Sequence, residues 1–255
     1  VTSGALVHTL DNPNAYGTPQ YDNFGNSVAI SGNLAIVGAV QEDDAGGGYS
    51  GKAYIYNVTS GALVHTLDNP NAYGTSGGTF AGDSFGDSVA ISGNSAIVGA
   101  YGEDDAGVNS SGKAYIFNVT TGALVHTLDN PNAYGTSGGD YFGDSVAISG
   151  NLAIVGAYLE DDAGGTSSGK AYIFNVTTGA LLHTLDNPNA YDTSYNDKFS
   201  YSVAISSNSV ILGAYQEDDA GGDNSGKAYI YTIPSGPNVV DVFDINIKEN
   251  NLSNT

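Results

Sequence analysis

The stretch FGNSVAISGNLAIVGAVQEDDAGGGYSGKAYIY, from Phe24 to Tyr56, contains the features that decide the fold. It holds two short runs rich in β-branched and aromatic residues, SVAIS and LAIVGA, and all but the last residue of a third, KAYIYN; each is bounded by Gly, Asn or Ser. A fourth run, ALVHTL, begins at Ala62. Such runs are typical of β-strands, and no window has the 3.6-residue period of an amphipathic helix. The pattern predicts an all-β unit of four short strands.

This unit recurs about every 57 residues, as expected for a series of β-propeller blades. Its Phe returns at Phe24, Phe85, Phe142 and Phe199, and a short insertion before Phe85 explains the one longer spacing. The chain is therefore predicted to be a β-propeller of four four-stranded antiparallel blades over residues 1–233. Residues 234–255 begin with the linker signature PSGP and match no blade, so we expect a tail or the start of a further segment.

The elements FG, VGA and GKAYIY, in that order and spacing, resemble the FG-GAP repeat, the blade of integrin α-subunit propellers and of many bacterial surface proteins. The short loops are most similar to those of marine bacterial and phage structural proteins. The resemblance implies a β-propeller that acts outside the cell. Integrin-type repeats often carry an Asp-rich calcium loop between the FG and GA strands. Here that turn is only Gly32-Asn33 and its equivalents, so the family's calcium site cannot be carried over.

The connections between strands alternate between short and long. Successive connections of an up-and-down sheet lie at opposite ends, so both short turns should lie at one end of every blade and both long loops at the other. Long loops on a rigid scaffold are where binding usually occurs. We therefore expect a protein or glycan partner on the long-loop face.

Two sets of acidic residues fall on these long loops. The first lies two residues before each repeated Phe and is a candidate ligand-binding set: Asp22, Asp83, Asp140 and Asp197. The second is a repeated Glu-Asp-Asp triplet and is a candidate metal site: Glu42, Asp43, Asp44, Glu103, Asp104, Asp105, Glu160, Asp161, Asp162, Glu217, Asp218 and Asp219. Ca²⁺ takes six to eight oxygen ligands of this kind. The other interpretation is that the Asp side chains cap turns and add solubility.

The net charge is −21, with 27 acidic and 6 basic residues. Such a surface repels phosphate, so nucleic acid and anionic membranes are excluded as expected partners. It suits high salt and divalent cations, and a saline environment is expected. No apolar stretch is long enough to insert into a membrane. There is no Cys, so disulfides and thiol chemistry are excluded.

The chain begins in a fourth strand and its repeats end in a third strand. Residues 5–10 are therefore expected to pair beside residues 227–233 and complete the last blade, which would remove a sheet edge. Alternatively, the missing strand comes from a longer precursor or a neighbouring subunit, and strand exchange builds a fibre. Residue 1 is Val and no signal peptide precedes it, so we expect a processed product or part of a longer chain.

No catalytic motif is present, and four near-identical copies do not give catalytic groups the differentiated environments that they need. The chain is therefore predicted not to be an enzyme. The single His of each fourth strand is predicted to occupy a packing or surface position, and the Lys of each GKAY to pair with nearby acids. Candidate glycosylation sites begin at Asn57, Asn118 and Asn175 in the short turns, where Asn also suits the turn itself.

These features predict a structural or adhesive module of an extracellular, cell-surface or virion-surface protein that requires no cofactor. The alternative is a calcium-dependent carbohydrate- or protein-binding module, for which Ca²⁺ would be the cofactor.

Overall fold

The computed structural model describes residues 4–13, 21–43, 48–71, 82–104, 109–132, 139–161, 165–188, 196–218 and 222–234. This part of the chain forms fifteen β-strands and no helix, which confirms the all-β prediction. Within these ranges, accordingly, no helix is long and apolar enough to cross a membrane.

Each sheet is an antiparallel meander whose strands follow one another in chain order. Blade 1 contains β1 (Phe24–Ser31), β2 (Leu34–Ala39), β3 (Lys52–Asn57) and β4 (Leu63–Asp68). Blade 2 contains β5 (Phe85–Ser92), β6 (Ser95–Ala100), β7 (Lys113–Asn118) and β8 (Leu124–Asp129). Blade 3 contains β9 (Ser145–Ser149), β10 (Leu152–Ala157), β11 (Lys170–Asn175) and β12 (Leu181–Asp186). Blade 4 contains β13 (Phe199–Ser206), β14 (Ser209–Ala214) and β15 (Lys227–Thr232).

The meander order places the short turns at one end of each blade and the long loops at the other, as predicted. The first strands β1, β5, β9 and β13 contact one another in sequence and form the inner edge of the arrangement. The result is a four-blade β-propeller arrangement. Among the described strands, no comparable contact joins blade 1 to blade 4, so the sheets do not close into a ring.

Residues 4–13 lie against blade 1 and form no strand in the structure. Leu10 packs on the cluster around Val37 and Tyr56, and the His8 Nε2 atom lies 3.0 Å from the Thr59 carbonyl oxygen. The described part of blade 4 has three strands, and residues 5–10 are not placed beside β15. Completion of blade 4 by this segment stays a prediction.

The repeated Phe residues occupy the core between blades. Phe85, Phe142 and Phe199 are completely buried, and Phe85 packs against Tyr115 at a centroid distance of 5.8 Å. Phe24 is only half-buried, because no blade lies on that side of blade 1 in the described structure.

Two repeated glycines allow the backbones of neighbouring blades to touch. A Cβ atom on Gly99 of the VGA element would lie 1.9 Å from the carbonyl oxygen of Gly143, the glycine of the next FG element. The same distance separates a Cβ on Gly38 from the oxygen of Gly86. No side chain fits in either gap, which gives a physical reason for the glycines of the FG and VGA elements.

A second contact between blades is made at the short turns. The Nε2 atom of His65 in β4 lies 3.1 Å from the carbonyl oxygen of Thr120 in blade 2, and His126 repeats this contact with Thr177 at 3.0 Å. These His residues therefore occupy a repeated packing position, as predicted.

Candidate functional site at the long-loop end

The first residue of each acidic triplet is buried rather than exposed. Each of the four Glu side chains is fully buried and accepts a hydrogen bond from a Tyr twelve positions later, on the third strand of its blade. The Tyr54 hydroxyl donates to Glu42 at 2.6 Å, and the pairs are Glu42–Tyr54, Glu103–Tyr115, Glu160–Tyr172 and Glu217–Tyr229. A buried carboxylate needs such partners, because leaving it without them is costly.

Burial also changes the acidity of these carboxyl groups. Desolvation raises the pKa of Glu103 to about 7, although hydrogen bonds from Tyr115 and Asn71 oppose the shift. Desolvation likewise raises the pKa of Glu160 to about 7. The raised pKa means that Glu103 and Glu160 contribute less negative charge near neutral pH than the sequence suggests.

The second residue of each triplet holds its own loop together. The Asp161 Oδ1 atom accepts a hydrogen bond from the backbone N–H of Ser167 at 2.7 Å, and Asp104 does the same for Ser110 at 2.8 Å. Asp43 and Asp218 make the equivalent bonds in blades 1 and 4. This is a turn-closing arrangement. The third residues, Asp44, Asp105, Asp162 and Asp219, lie outside the described residues.

The Asp residues that precede each Phe connect one blade to the next. Each is buried and accepts a hydrogen bond from an Asn that precedes it in the chain: Asn12–Asp22, Asn69–Asp83, Asn130–Asp140 and Asn187–Asp197. The Asn69 Nδ2 atom, just after β4, lies 2.8 Å from Asp83 Oδ2, just before β5. Burial raises the pKa of Asp140 to about 6.

The first residue of each triplet thus packs within its blade, and the Asp before each Phe packs where one blade joins the next. No group of three or more His, Asp or Glu side chains in the described ranges is arranged to hold a metal ion. Calcium binding at the triplets therefore stays a prediction, as do the ligand-binding roles of the four Asp residues.

The repeated Lys residues pair with acids, as predicted. Lys52 contacts Asp68 across β3 and β4, and Lys113 contacts Asp129 in the same way. Lys227 lies 2.9 Å from Glu217. The two cross-strand pairs have exposed carboxylates, so each contributes only about 0–1 kcal/mol to stability.

The candidate glycosylation residues close the short turns. The Oδ1 atom of Asn118 accepts hydrogen bonds from the backbone N–H groups of Thr120 and Thr121 at 2.9 and 3.1 Å. Asn57 and Asn175 make the same contacts in their turns. Each Asn therefore has a structural role, and glycosylation stays a prediction.

The structure also brings together a group of residues that the sequence analysis missed. Tyr101, Tyr141, Tyr158, Tyr201 and Tyr215 form a continuous row, here called the tyrosine row, across blades 2 to 4 at the long-loop end. Successive ring centroids are 5.1, 5.9, 5.2 and 4.5 Å apart, within the range of favourable aromatic pairs.

Charged groups lie along this row. The Lys198 Nζ atom lies 5.1 Å from the centroid of the Tyr158 ring. Burial raises the pKa of Tyr101 and of Tyr158, and the carboxylate of Asp144 raises both further. Burial together with the Asp87 carboxylate raises the pKa of Asp144 itself to about 7. The row was missed because it depends on positions that differ between repeats: the residue after VGA is Val40 in blade 1 and Tyr101 in blade 2.

Comparisons with known proteins agree with this architecture. No protein of curated function matches the chain. The crystal structure of the computationally designed Ika4 protein matches with a TM-score of 0.52 and 15% identity, covering 91% of this chain and 100% of that one. At this identity the likeness concerns the fold alone.

The family model of the FG-GAP repeat matches four times, at residues 15–56, 75–117, 132–174 and 189–231. These segments together cover more than half of the chain and contain the first two strands and all but the last residue of the third strand of every blade. FG-GAP repeats form β-propeller modules generally involved in binding or adhesion, and they are typical of extracellular or surface proteins. The chain belongs to the FG-GAP repeat family.

Proposed function

We propose that this chain is a non-catalytic structural module of an extracellular, cell-surface or virion-surface filament, and that its copies join head to tail. One observation supports this proposal. Each pair of neighbouring blades is joined by two complementary surfaces. The same two surfaces are exposed on blade 1 and on blade 4, which lie at the two ends of the series of described blades.

The first exposed surface is on β1. Val28 and Ile30 are 68% and 65% exposed, whereas their counterparts in blade 2, Val89 and Ile91, are each 7% exposed because they pack on blade 1. A Cβ atom on Gly25 would meet nothing within 4 Å, although the equivalent Gly86 touches the preceding blade. The β1 surface is therefore shaped to pack on a preceding blade.

The second exposed surface is on blade 4. Ile230 and Ile211 are 74% and 43% exposed, whereas their counterparts in blade 1, Ile55 and Ile36, are completely buried against blade 2. Full burial of such side chains contributes about 1.5–3 kcal/mol each. The blade 4 surface is the complement of the β1 surface, since each interface within the chain is formed by one surface of each kind.

The strand edges are complementary too. The outer edge of β15 has no partner strand in the described structure, and exposed edges of this kind pair readily with another chain. Residues 5–10 of a second copy, already held beside their own blade 1 by Leu10 and His8, would supply the fourth strand. A contact of this head-to-tail kind generates open filaments when it does not close into a ring. The high negative charge elsewhere would oppose lateral association.

Sedimentation velocity over a range of protein concentrations tests this proposal. The wild-type chain should assemble as concentration rises, and either Ile30→Asp or Ile230→Asp should leave only monomers. A mixture of these two variants should form dimers and nothing larger, because each variant keeps one intact end. The control is Val125→Asp. Val125 lies on the outer strand β8, is 45% exposed, and belongs to neither the β1 surface nor the blade 4 surface.

A wild-type chain that stays monomeric at every concentration would contradict the proposal. If Ile30→Asp and Ile230→Asp then lowered stability equally and Val125→Asp did not, the two surfaces would meet within one chain and close a ring. Assembly that Val125→Asp abolishes as effectively as Ile30→Asp would also contradict the head-to-tail geometry.

The alternative function, a calcium-dependent carbohydrate- or protein-binding module, has one supporting observation. The Oε2 atoms of Glu42 and Glu217 are buried and have no hydrogen-bond partner in the described structure. Thermal melts with calcium and with EGTA test this alternative, because a ligand at about 100 times its Kd adds about 2.7 kcal/mol to stability. Equal melting temperatures would exclude it.

A further inference from the structure

The tyrosine row departs from the repetition of the rest of the chain. Its members occupy three different repeat positions, and blade 1 contributes none of them. Tyr201 and Tyr215 are 47% and 50% exposed, while Tyr101, Tyr141 and Tyr158 are partly buried. Packing within and between blades accounts for the residues that recur in every repeat, but it does not account for this asymmetric row of tyrosines.

Two residues along the row adopt a backbone conformation that disfavours large side chains. Tyr141 and Lys198 occupy the same repeat position, just before the repeated Phe, with φ values of +58° and +61°. The left-handed region is uncommon for residues other than Gly, Asn and Asp, and such strain is concentrated at functional sites. Asn23 and Ser84 fill this position in blades 1 and 2, so a large side chain is not needed to form the turn.

The chain already places one cation on this row. The Lys198 ammonium group lies 5.1 Å from the centroid of the Tyr158 ring, which is within cation–π range. Two carboxylates act on these rings and favour positive charge at the same place: Asp87 and Asp144 act on Tyr101, and Asp144 also acts on Tyr158. An aromatic surface flanked by acidic groups is complementary to Lys and Arg side chains.

We propose that the tyrosine row, with Asp87 and Asp144, binds a lysine- or arginine-rich segment of a partner protein. The exposed rings of Tyr201 and Tyr215 provide rigid aromatic surfaces of the kind that dominate protein interfaces. The carboxylates provide charge complementarity and accelerate association. This inference does not depend on head-to-tail assembly, and a chain that never assembles would still bind such a segment.

Isothermal titration with a hexa-arginine peptide at pH 8 and physiological salt tests the inference. The Ile30→Asp variant serves as the parent, so that assembly does not cover Tyr215. Adding Tyr201→Leu and Tyr215→Leu should weaken binding about tenfold, since two exposed cation–π contacts are lost while apolar volume is kept. The matched control is Tyr21→Leu with Tyr49→Leu, which removes two exposed rings, 73% and 49% exposed, that are not part of the row.

A second pair of variants tests the carboxylates. Asp87→Asn with Asp144→Asn should weaken binding more than Asp11→Asn with Asp223→Asn, which removes the same charge from exposed positions. Equal losses in the test and control variants would mean that the peptide responds only to overall negative charge, which would overturn the proposal. Absence of saturable binding, or binding of neutral cellohexaose in place of the peptide, would overturn it as well.

Discussion

The backbone contact between blades can be tested by adding one methyl group. In Gly99→Ala the new Cβ would lie 1.9 Å from the Gly143 carbonyl oxygen, and the gap must widen by about 1.5 Å to reach ordinary contact at 3.4 Å. Both sides of the gap are backbone, so the two blades must move apart. Phe142 and Val146 would lose packing against blade 2 as a result.

The magnitude follows from the cost of overpacking. Adding a methylene group to a well-packed core costs about 1–3 kcal/mol, and a contact limited by backbone belongs at the upper end, at about 3 kcal/mol. Gly213→Ala is the matched control, because Gly213 occupies the same strand position in blade 4 and neither glycine has a positive φ. The nearest atom to its added Cβ is the Ser202 Oγ, at 2.6 Å, and this side chain can rotate away. A Gly→Ala change without strain is neutral or stabilises by about 0.4–1 kcal/mol.

Urea denaturation followed by circular dichroism measures both free energies of unfolding, at a protein concentration where the chain is monomeric. Gly99→Ala should be less stable than Gly213→Ala by about 2–4 kcal/mol. Both variants replace one Gly by Ala and so change the unfolded chain in the same way. The difference between their free energies of unfolding therefore reports the folded state alone. A difference below about 0.5 kcal/mol would refute the interpretation that these glycines are required by close contact between blades.

Three further predictions concern the core, the buried carboxyl groups and the loops. Phe142→Ala should lower the free energy of unfolding by about 3–5 kcal/mol and Phe24→Ala by clearly less, because Phe24 is half-exposed; equal losses in denaturation would contradict this burial difference. The pKa of Glu103 is about 7 in the folded chain, above its unfolded value, so the folded chain binds the extra proton. Stability should therefore rise as the pH falls from about 7.5 to 5, and Glu103→Gln should flatten this rise in melts across pH; an unchanged slope would mean that the group ionises normally. Asp161→Ala should increase amide hydrogen exchange at Ser167, because Asp161 Oδ1 accepts the hydrogen bond of that N–H, and unchanged exchange would mean that the bond does not hold the loop.

Most of the fold follows from the sequence. The alternation of short and long connections predicted the meander, and the strands Leu34–Ala39 and Lys52–Asn57 have the predicted bounds. The first strand begins earlier than predicted, at Phe24, because the ladder with β2 resumes at Phe24 beyond a bulge. Local propensity marks the regular part of a strand but does not show pairing across a bulge.

The candidate site was less predictable. Glu42 was interpreted as a candidate metal ligand on a long loop, and its burial within the blade was not predicted. Its burial depends on Tyr54, and the same spacing of Glu and Tyr in all four repeats was the available signal. Three members of the tyrosine row, Tyr101, Tyr158 and Tyr215, share the repeat position after GA, and that recurrence was the available signal. Tyr141 and Tyr201 occupy positions that the repeat does not share, so the continuous row could not be found from the repeat alone.

The contacts between blades have a consequence for how the number of repeats in such a protein can change during evolution. The interface between blades 1 and 2 and the interface between blades 2 and 3 use the same approach of two glycines and the same His–Thr contact. All three junctions between consecutive blades use the same Asn–Asp hydrogen bond. A gene with one unit duplicated or deleted would still encode a chain in which each blade meets a compatible neighbour, because stability in such arrays is close to a sum of nearest-neighbour terms. Near-identical units also favour unequal recombination. Copy number is therefore the property of this architecture that natural variation can alter most freely, whereas the asymmetric tyrosine row would be lost or displaced by the same events.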